Sequence, residues 1–195
     1  MITILSLFDY TGNWSKPYRD AGYDVIQVDI KHGQNVYLID PAEYPFIHGI
    51  LAAPPCTDFA GSGARWWADK DEDGRMFESL ALMYKTLSVI WYLKHRDGCW
   101  WCLENPVGRL NSMVPALADY GPWYFQPCDY GDPYTKKTGL WGEFVAPLPL
   151  FVGEVRAVEA VEGSRMHRLP PSSERAALRS MTPPGFARAF FEVNP

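Results

Sequence analysis

Strand-length apolar runs alternate with helical runs through the first hundred residues, and each apolar run breaks off on polar or turn-forming residues. "ITILSLF" (Ile2 to Phe8) is β-rich and stops at "DYTGNWS". "KPYRDAG" then reads as a short helix, with Ser15 placed to cap it, Pro17 in its first turn and Gly22 where a C-terminal glycine belongs. "YDVIQVDI" (Tyr23 to Ile30) is a second strand. Strand, turn, helix and strand within about 30 residues make the βαβ unit that feeds a parallel sheet.

The pattern recurs. "FIHGILAA" is a strand that enters Pro54-Pro55, and Met76 to His95 carry apolar residues at helical spacing with Gly98 behind them. "CWWCLE" (Cys99 to Glu104) is a strand ending on Asn105-Pro106. "WYFQPC" and "TGLWGEF" read as later, antiparallel strands, and "SSERAALRSM" as a short helix after an irregular Pro-rich stretch from Ala146. This order predicts an α/β fold, a mostly parallel open sheet with helices on both faces, in one domain over residues 1–195.

A hydrophobic fraction of 47% with 21% charged residues is that of an ordinary globular core. No apolar stretch approaches the roughly 20 residues of a membrane span. The opening "MITILSLFDY" has no basic n-region, so a cytoplasmic protein is expected rather than a secreted one. The net charge of −5 argues against a strongly basic nucleic-acid binder. Charge is uneven, however: residues 1–133 hold 10 Lys and Arg against 17 Asp and Glu, and residues 134–195 hold 8 against 6. A polyanion would meet the C-terminal third. Cys99 and Cys102 form a single CxxC flanking two tryptophans, with only Cys128 and His95 as further ligands. Burial in a strand is the reading, with no metal.

In a sheet of this kind ligands bind beyond the carboxyl ends of the strands. Four stretches fall there: Phe8 to Gly12, Asp29, Pro55-Cys56 and Glu104-Asn105. A turn with one glycine, Gly12, is poor for a pyrophosphate, whereas Asp29 about 20 positions on suits a ribose diol; adenosine without phosphates fits both. In "LAAPPCTDFAGSG" the double proline fixes φ twice and removes two donors. Cys56 is thereby held at the rim before a flexible Gly-Ser-Gly loop, placed for nucleophilic attack. Glu104 ends a strand of bulky apolar residues, where desolvation favours the protonated, donating form.

Taken in order, these stretches resemble the cytosine-C5 DNA methyltransferases, which use S-adenosylmethionine. "SLFDYTGNW" resembles the family's first motif, which implies cofactor contacts from Phe8, Asp9, Tyr10, Thr11, Gly12, Asn13 and Trp14. "VIQVDI" resembles the second, giving Asp29 and Ile30, and Asp40 stands where an acidic residue meets the adenine amine. "AAPPCTDFAGSG" resembles the proline-cysteine motif, with Pro54 at the cofactor, Pro55 at the base and Cys56 as nucleophile. "LENPVGRL" resembles the glutamate-asparagine motif, implying that Glu104 is catalytic and that Asn105 and Pro106 contact the substrate. In "CDYGDPYTKKTGLW" Lys136 and Thr138 stand at the family's two arginines, with Lys137 a further source of charge. "RSMTPPGFARAFF" resembles a late motif that packs the structure.

The chain departs from the pattern at Tyr10 and Asn13, where the family favours glycine. Only Ala146 to Glu174 corresponds to its target-recognition domain, a short insert in which Arg165, His167 and Arg168 are the DNA-reading candidates. Arg65, Trp66 and Trp67 could cover a flipped base. The resemblance implies methylation of a flipped cytosine in double-stranded DNA with short or relaxed specificity, or with a separate specificity partner, in an enzyme suited to a phage or mobile element. The same chemistry on a free cytosine nucleotide and a catalytically inactive cofactor- or DNA-binding homologue stay open.

Overall fold

The computed structural model describes residues 1–152, 155–156, 158–170, 172 and 175–195, with backbone only at 151–152, 155–156, 166–167 and 176. Its elements are β1 (Thr3–Leu7), α1 (Lys16–Asp20), β2 (Asp24–Val28), β3 (Gly49–Ala52), α2 (Trp67–Glu72), α3 (Arg75–Asp97), β4 (Trp100–Pro106), α4 (Leu110–Met113), β5 (Trp123–Phe125), β6 (Thr138–Glu143), a ribbon of β7 (Phe151–Val152) and β8 (Val155–Arg156), α5 (Arg165–Arg168), α6 (Arg175–Ser180) and α7 (Pro184–Val193). The main sheet has the order β2-β1-β3-β4-β6-β5. Its first four strands are parallel, and β6 pairs antiparallel with both β4 and β5. The expected α/β sheet is the one observed.

Side chains alternate across the pleat, so both faces need cover. Leu5, Leu7, Ile50, Trp101 and Leu103 pack with Met83, Leu87 and Ile90 of α3. Ile4, Leu51, Cys102 and Leu140 pack on the other side with Tyr18 of α1 and Phe186 and Phe190 of α7. Helices therefore lie on both faces, and Cys99 and Cys102 are buried as the composition implied. Burial pushes the Cys99 thiol up to about 11. No disulfide forms.

Two local expectations change, and a third is met. Ser15 stands at the N-cap of α1 but gives no capping bond; its hydroxyl donates to Asp9 Oδ2 at 2.7 Å instead. The Gly-Ser-Gly segment is a 3-10 turn, Gly61–Trp66, running straight into α2. The last motif forms α7, whose Phe186, Ala187 and Phe190 share one buried stripe behind an N-terminal proline. Among the described residues no helix is long and apolar enough to cross a membrane.

Candidate active site

The parallel strands bring their carboxyl ends to one rim. Because β6 runs the other way, it starts at that rim, with Thr138 paired to Pro106. Lys136 is thus delivered beside Glu104 although 31 residues separate them in sequence. β1 lies between β2 and β3, so the connections after β1 and β3 leave to opposite sides and open a crevice.

The turn after β1 forms one wall. Phe8 takes a left-handed φ of 62°, which costs a non-glycine residue about 1–2 kcal/mol. Its amide is held by the Val28 carbonyl at 2.7 Å. Asp9 supports the turn from within: its Oδ2 accepts from the hydroxyl of Ser6 (3.0 Å) and from the amide (3.1 Å) and hydroxyl of Ser15. Gly12, at φ 67°, lets its carbonyl take the Arg19 guanidinium at 2.9 Å. Across the crevice mouth, Asp29 Oδ1 accepts the Lys31 amide at 2.8 Å. Ile30 beside it is 72% exposed. Tyr10 spans the ends of β1 and β2, its ring 5.3 Å from that of His32 and under Lys31 Nζ at 4.4 Å.

The nucleophile's loop forms the other wall. β3 leaves the sheet through Pro54-Pro55, and Asn105 Nδ2 donates to the Pro54 carbonyl at 3.2 Å, tying this exit to β4. The Cys56 carbonyl accepts the amides of Phe59 (3.0 Å) and Ala60 (2.8 Å), so Cys56 heads a tight turn. That turn is clamped by buried cations. Lys70 Nζ reaches the Thr57 carbonyl (2.5 Å) and Asp58 Oδ1 (2.8 Å), Ser79 donates to Asp58 Oδ2 (2.5 Å), and Arg109 Nε donates to the Asp58 carbonyl (2.9 Å). Arg109 also pairs with Asp71 at 2.8 Å and stacks over Trp67.

Electrostatics join the two halves. Lys136 Nζ is 3.7 Å from Glu104 Oε1; Glu104 is buried and Lys136 nearly so. Burial, together with the Glu104 charge, pushes the half-buried Cys56 thiol above its ordinary value, while Lys136 and Arg179 pull it down. Arg179 reaches this loop from α6, 3.4 Å from the Ser62 hydroxyl.

No family model and no curated protein match the sequence. Solved structures do. The Entamoeba histolytica methyltransferase EhMeth aligns with a TM-score of 0.51 at 15% identity, and a Spodoptera frugiperda DNMT2 variant with 0.50 at 20%. Each alignment covers 82% of this chain and 57% of the other, so this chain spans little more than half the length of either. This chain shares the fold of these two methyltransferases.

Within the methyltransferase fold, the rim gathers Phe8, Tyr10, Gly12, Asp29, Ile30, Pro54, Pro55, Cys56, Glu104, Asn105 and Lys136. Thr11 and Asn13 complete the first turn, the Asn13 amide donating to Thr11 Oγ1 at 3.4 Å. Four other assignments change. Trp14 is fully buried edge-on to Phe190 at 5.8 Å, a core residue on the α7 side with no face toward the crevice. Asp9 points inward and supports the turn. Asp40 caps the 3-10 turn Pro41–Glu43 through the Ala42 amide. Its neighbour Pro41 is bound by Arg96 at the far end of α3, so Asp40 is carried away from the rim. Thr138 is buried, and its hydroxyl donates back to the Lys136 carbonyl at 2.9 Å, which positions Lys136 rather than any substrate.

Lys137 lies exposed over the Tyr124 ring at 4.7 Å, apart from Glu104. Arg165 pairs with Glu162 at 3.3 Å and, with Arg168, lines an open hollow of about 510 Å³; the His167 side chain lies outside the described residues. Trp66 is exposed under Arg65. Sequence reasoning missed Asp58, Lys70 and Arg179. A lysine in an acidic stretch reads as solvated surface, and nothing in "WADKDEDG" announces that Lys70 turns inward. Among the described residues no cluster of His, Cys, Asp and Glu could hold a metal ion.

Proposed function

We propose that this chain is an S-adenosylmethionine-dependent methyltransferase acting on C5 of a flipped cytosine in double-stranded DNA. The carrying observation is that the Cys56 thiol and the Glu104–Lys136 pair share one rim, where the Glu104 charge pushes the thiol up and Lys136 pulls it down.

Cytosine C5 is a poor nucleophile. Attack of the Cys56 thiolate on C6 forms a C–S bond and pushes the ring electrons toward C5. Glu104, as the neutral acid, donates a proton to N3, which leaves the electron pair in an enamine whose C5 is nucleophilic. Burial of this rim has a purpose here. The Glu104 charge opposes thiolate formation, whereas Lys136 and Arg179 favour it. A base that binds the protonated form of Glu104 draws the group away from its ionised state, so the opposing charge is lost and the thiolate is favoured when substrate arrives. After transfer a solvent base takes the C5 proton, the electrons left behind form the C5–C6 double bond and expel the Cys56 thiolate, and N3 returns its proton to Glu104.

The crevice residues fit the methyl donor. Asp29 offers a carboxylate with one oxygen engaged by Lys31, Ile30 and Phe8 offer apolar surface, and the Gly12 turn has no phosphate-cradling glycines. When bound, S-adenosylmethionine supplies an electrophilic methyl group. Residues 146–174, through Arg165 and Arg168, would touch the duplex, which supports short or relaxed specificity in a single catalytic domain.

The test is nucleoside mass spectrometry of unmodified duplex DNA after incubation with the protein and S-adenosylmethionine. 5-Methylcytosine that disappears with Cys56→Ala is the expected result. Its absence from folded, cofactor-binding protein would overturn the DNA reading.

A further inference from the structure

The stretch "RSMTPPGFARAFF" does two things at once. Its later residues pack the structure: Thr182, Phe186, Ala187 and Phe190 are buried. Arg179, at its head, stays half-buried on α6 and turns to the nucleophile's loop, where its Nη2 donates to the Ser62 hydroxyl at 3.4 Å and its charge pulls the Cys56 thiol down. A guanidinium carries five donors in a fixed fork. Among the described residues this long bond is the only hydrogen bond of the Arg179 side chain, and no carboxylate pairs with it. The neighbouring cations are committed: Lys136 to Glu104, Lys70 to Asp58 and Arg109 to Asp71. One turn earlier on the same face of α6, Arg175 has a buried Nε with no hydrogen-bond partner.

We propose that Arg179 is a substrate-binding residue that grips a phosphate flanking the flipped cytosine; this rests on the DNA methylation proposed above. Burial separates the two ends of the nucleotide. The base must enter where the Glu104 and Lys136 side chains are only 8% and 10% exposed. Its sugar and phosphates stay at the surface, where Ser62 is exposed and Arg179 half-buried. The cation on the open side of the Cys56 loop therefore meets the backbone, not the ring.

The residue type suits that ligand. A guanidinium fork matches two phosphate oxygens at once, which an ammonium does not. Ser62 accepts from one nitrogen and steers the fork, and Arg175 extends the basic face along α6. A flipping nucleotide turns about its backbone. A cation fixed beside the pivot holds the nucleotide in the extruded state, with C6 within reach of Cys56. α6 thereby contributes to the site a contact that the insert arginines, Arg165 and Arg168, do not make.

The test is fluorescence anisotropy of the full chain, without methyl donor, on a duplex whose single cytosine stands opposite adenine, a mismatch that flips at low cost. Binding is read over roughly 50–200 mM salt, with circular dichroism confirming that each variant is folded. Arg179→Ala should weaken binding about fivefold or more and reduce the slope of log Kd against log salt by about 0.9, the share of one phosphate. Arg179→Lys should recover the slope, because the charge returns. An uncharged methylphosphonate at one of the two phosphates flanking the cytosine should weaken the parent by a similar factor and leave Arg179→Ala unaffected. An unchanged slope, a methylphosphonate penalty equal in parent and variant, or no duplex binding by the folded parent would overturn the proposal. The coupling without any 5-methylcytosine product would uphold the phosphate contact and overturn the C5 chemistry; product without the coupling would do the reverse.

Discussion

Lys136 Nζ lies 3.7 Å from Glu104 Oε1 across the junction of β4 and β6, and both act on the thiol of Cys56 with opposite sign. The arrangement depends on strand direction: had β6 run parallel to β4, its first residues would sit at the far end of the sheet. Strand polarity therefore decides that a lysine, not only a carboxylate, attends the nucleophile.

Glu104→Gln should separate thiol reactivity from catalysis. The variant keeps the shape of the side chain but loses the charge that pushes the Cys56 thiol up, so the thiolate becomes more available. Iodoacetamide should alkylate Cys56 several-fold faster at pH 7.5 than in the parent, while methyl transfer falls by a factor of about 10² or more through loss of the proton donor. Slower alkylation in the variant would count against the coupling.

Lys136→Met acts in the opposite direction. Removing the cation leaves Glu104 buried without its partner and costs about 3 kcal/mol, read from the urea midpoint. It also takes away a charge that favours the thiolate, so Cys56 alkylation should slow and its pH profile should move further above the ordinary thiol range. Lys136→Arg should restore most of both quantities.

Much of this was legible in the residues. Apolar runs ending on Asp29, Pro54-Pro55 and Glu104 located the rim, because in a parallel sheet strand ends share an edge. The double proline announced the exit that holds Cys56. Illegible were the positions set by long-range packing. Trp14 reads as one more residue of a ligand-binding turn until α7 arrives from the other end of the chain to cover it. Thr138 reads as a substrate contact until its hydroxyl is seen to close on its own backbone. Lys70 reads as surface until its ammonium is found among Thr57 and Asp58.

Gly108→Ala should loosen the Cys56 loop without touching it. Ala60 and Gly108 form an isolated antiparallel bridge, in which the Arg109 amide donates to the Phe59 carbonyl at 2.9 Å and the Gly61 amide to the Val107 carbonyl at 2.8 Å. A Cβ at 108 would overlap the Phe59 carbonyl, a backbone atom that can yield only if the bridge opens. A loss of about 2–3 kcal/mol is expected, in the range of overpacked sites. Hydrogen exchange should quicken at Gly61 and Arg109; unchanged exchange there would show that the bridge is not what holds the loop.

The Asp58–Lys70 pair makes a prediction with a definite pH sign. Burial alone would push the Asp58 carboxyl up, but the hydrogen bonds from Lys70 and Ser79 outweigh it and hold the group below the usual carboxylate range. A carboxyl lower in the folded than in the unfolded chain stabilises the fold above about pH 4 and loses that contribution as pH falls through the depressed value. Lys70→Met removes the main compensating partner and leaves a carboxylate in a buried site, at a cost of about 3 kcal/mol near neutrality. Acidification neutralises that stranded charge. The stability difference between parent and variant should therefore shrink by half or more between pH 7 and pH 3.5, measured by urea unfolding at each pH. A difference that stays constant would place the role of Lys70 in its 2.5 Å bond to the Thr57 carbonyl instead of in its charge.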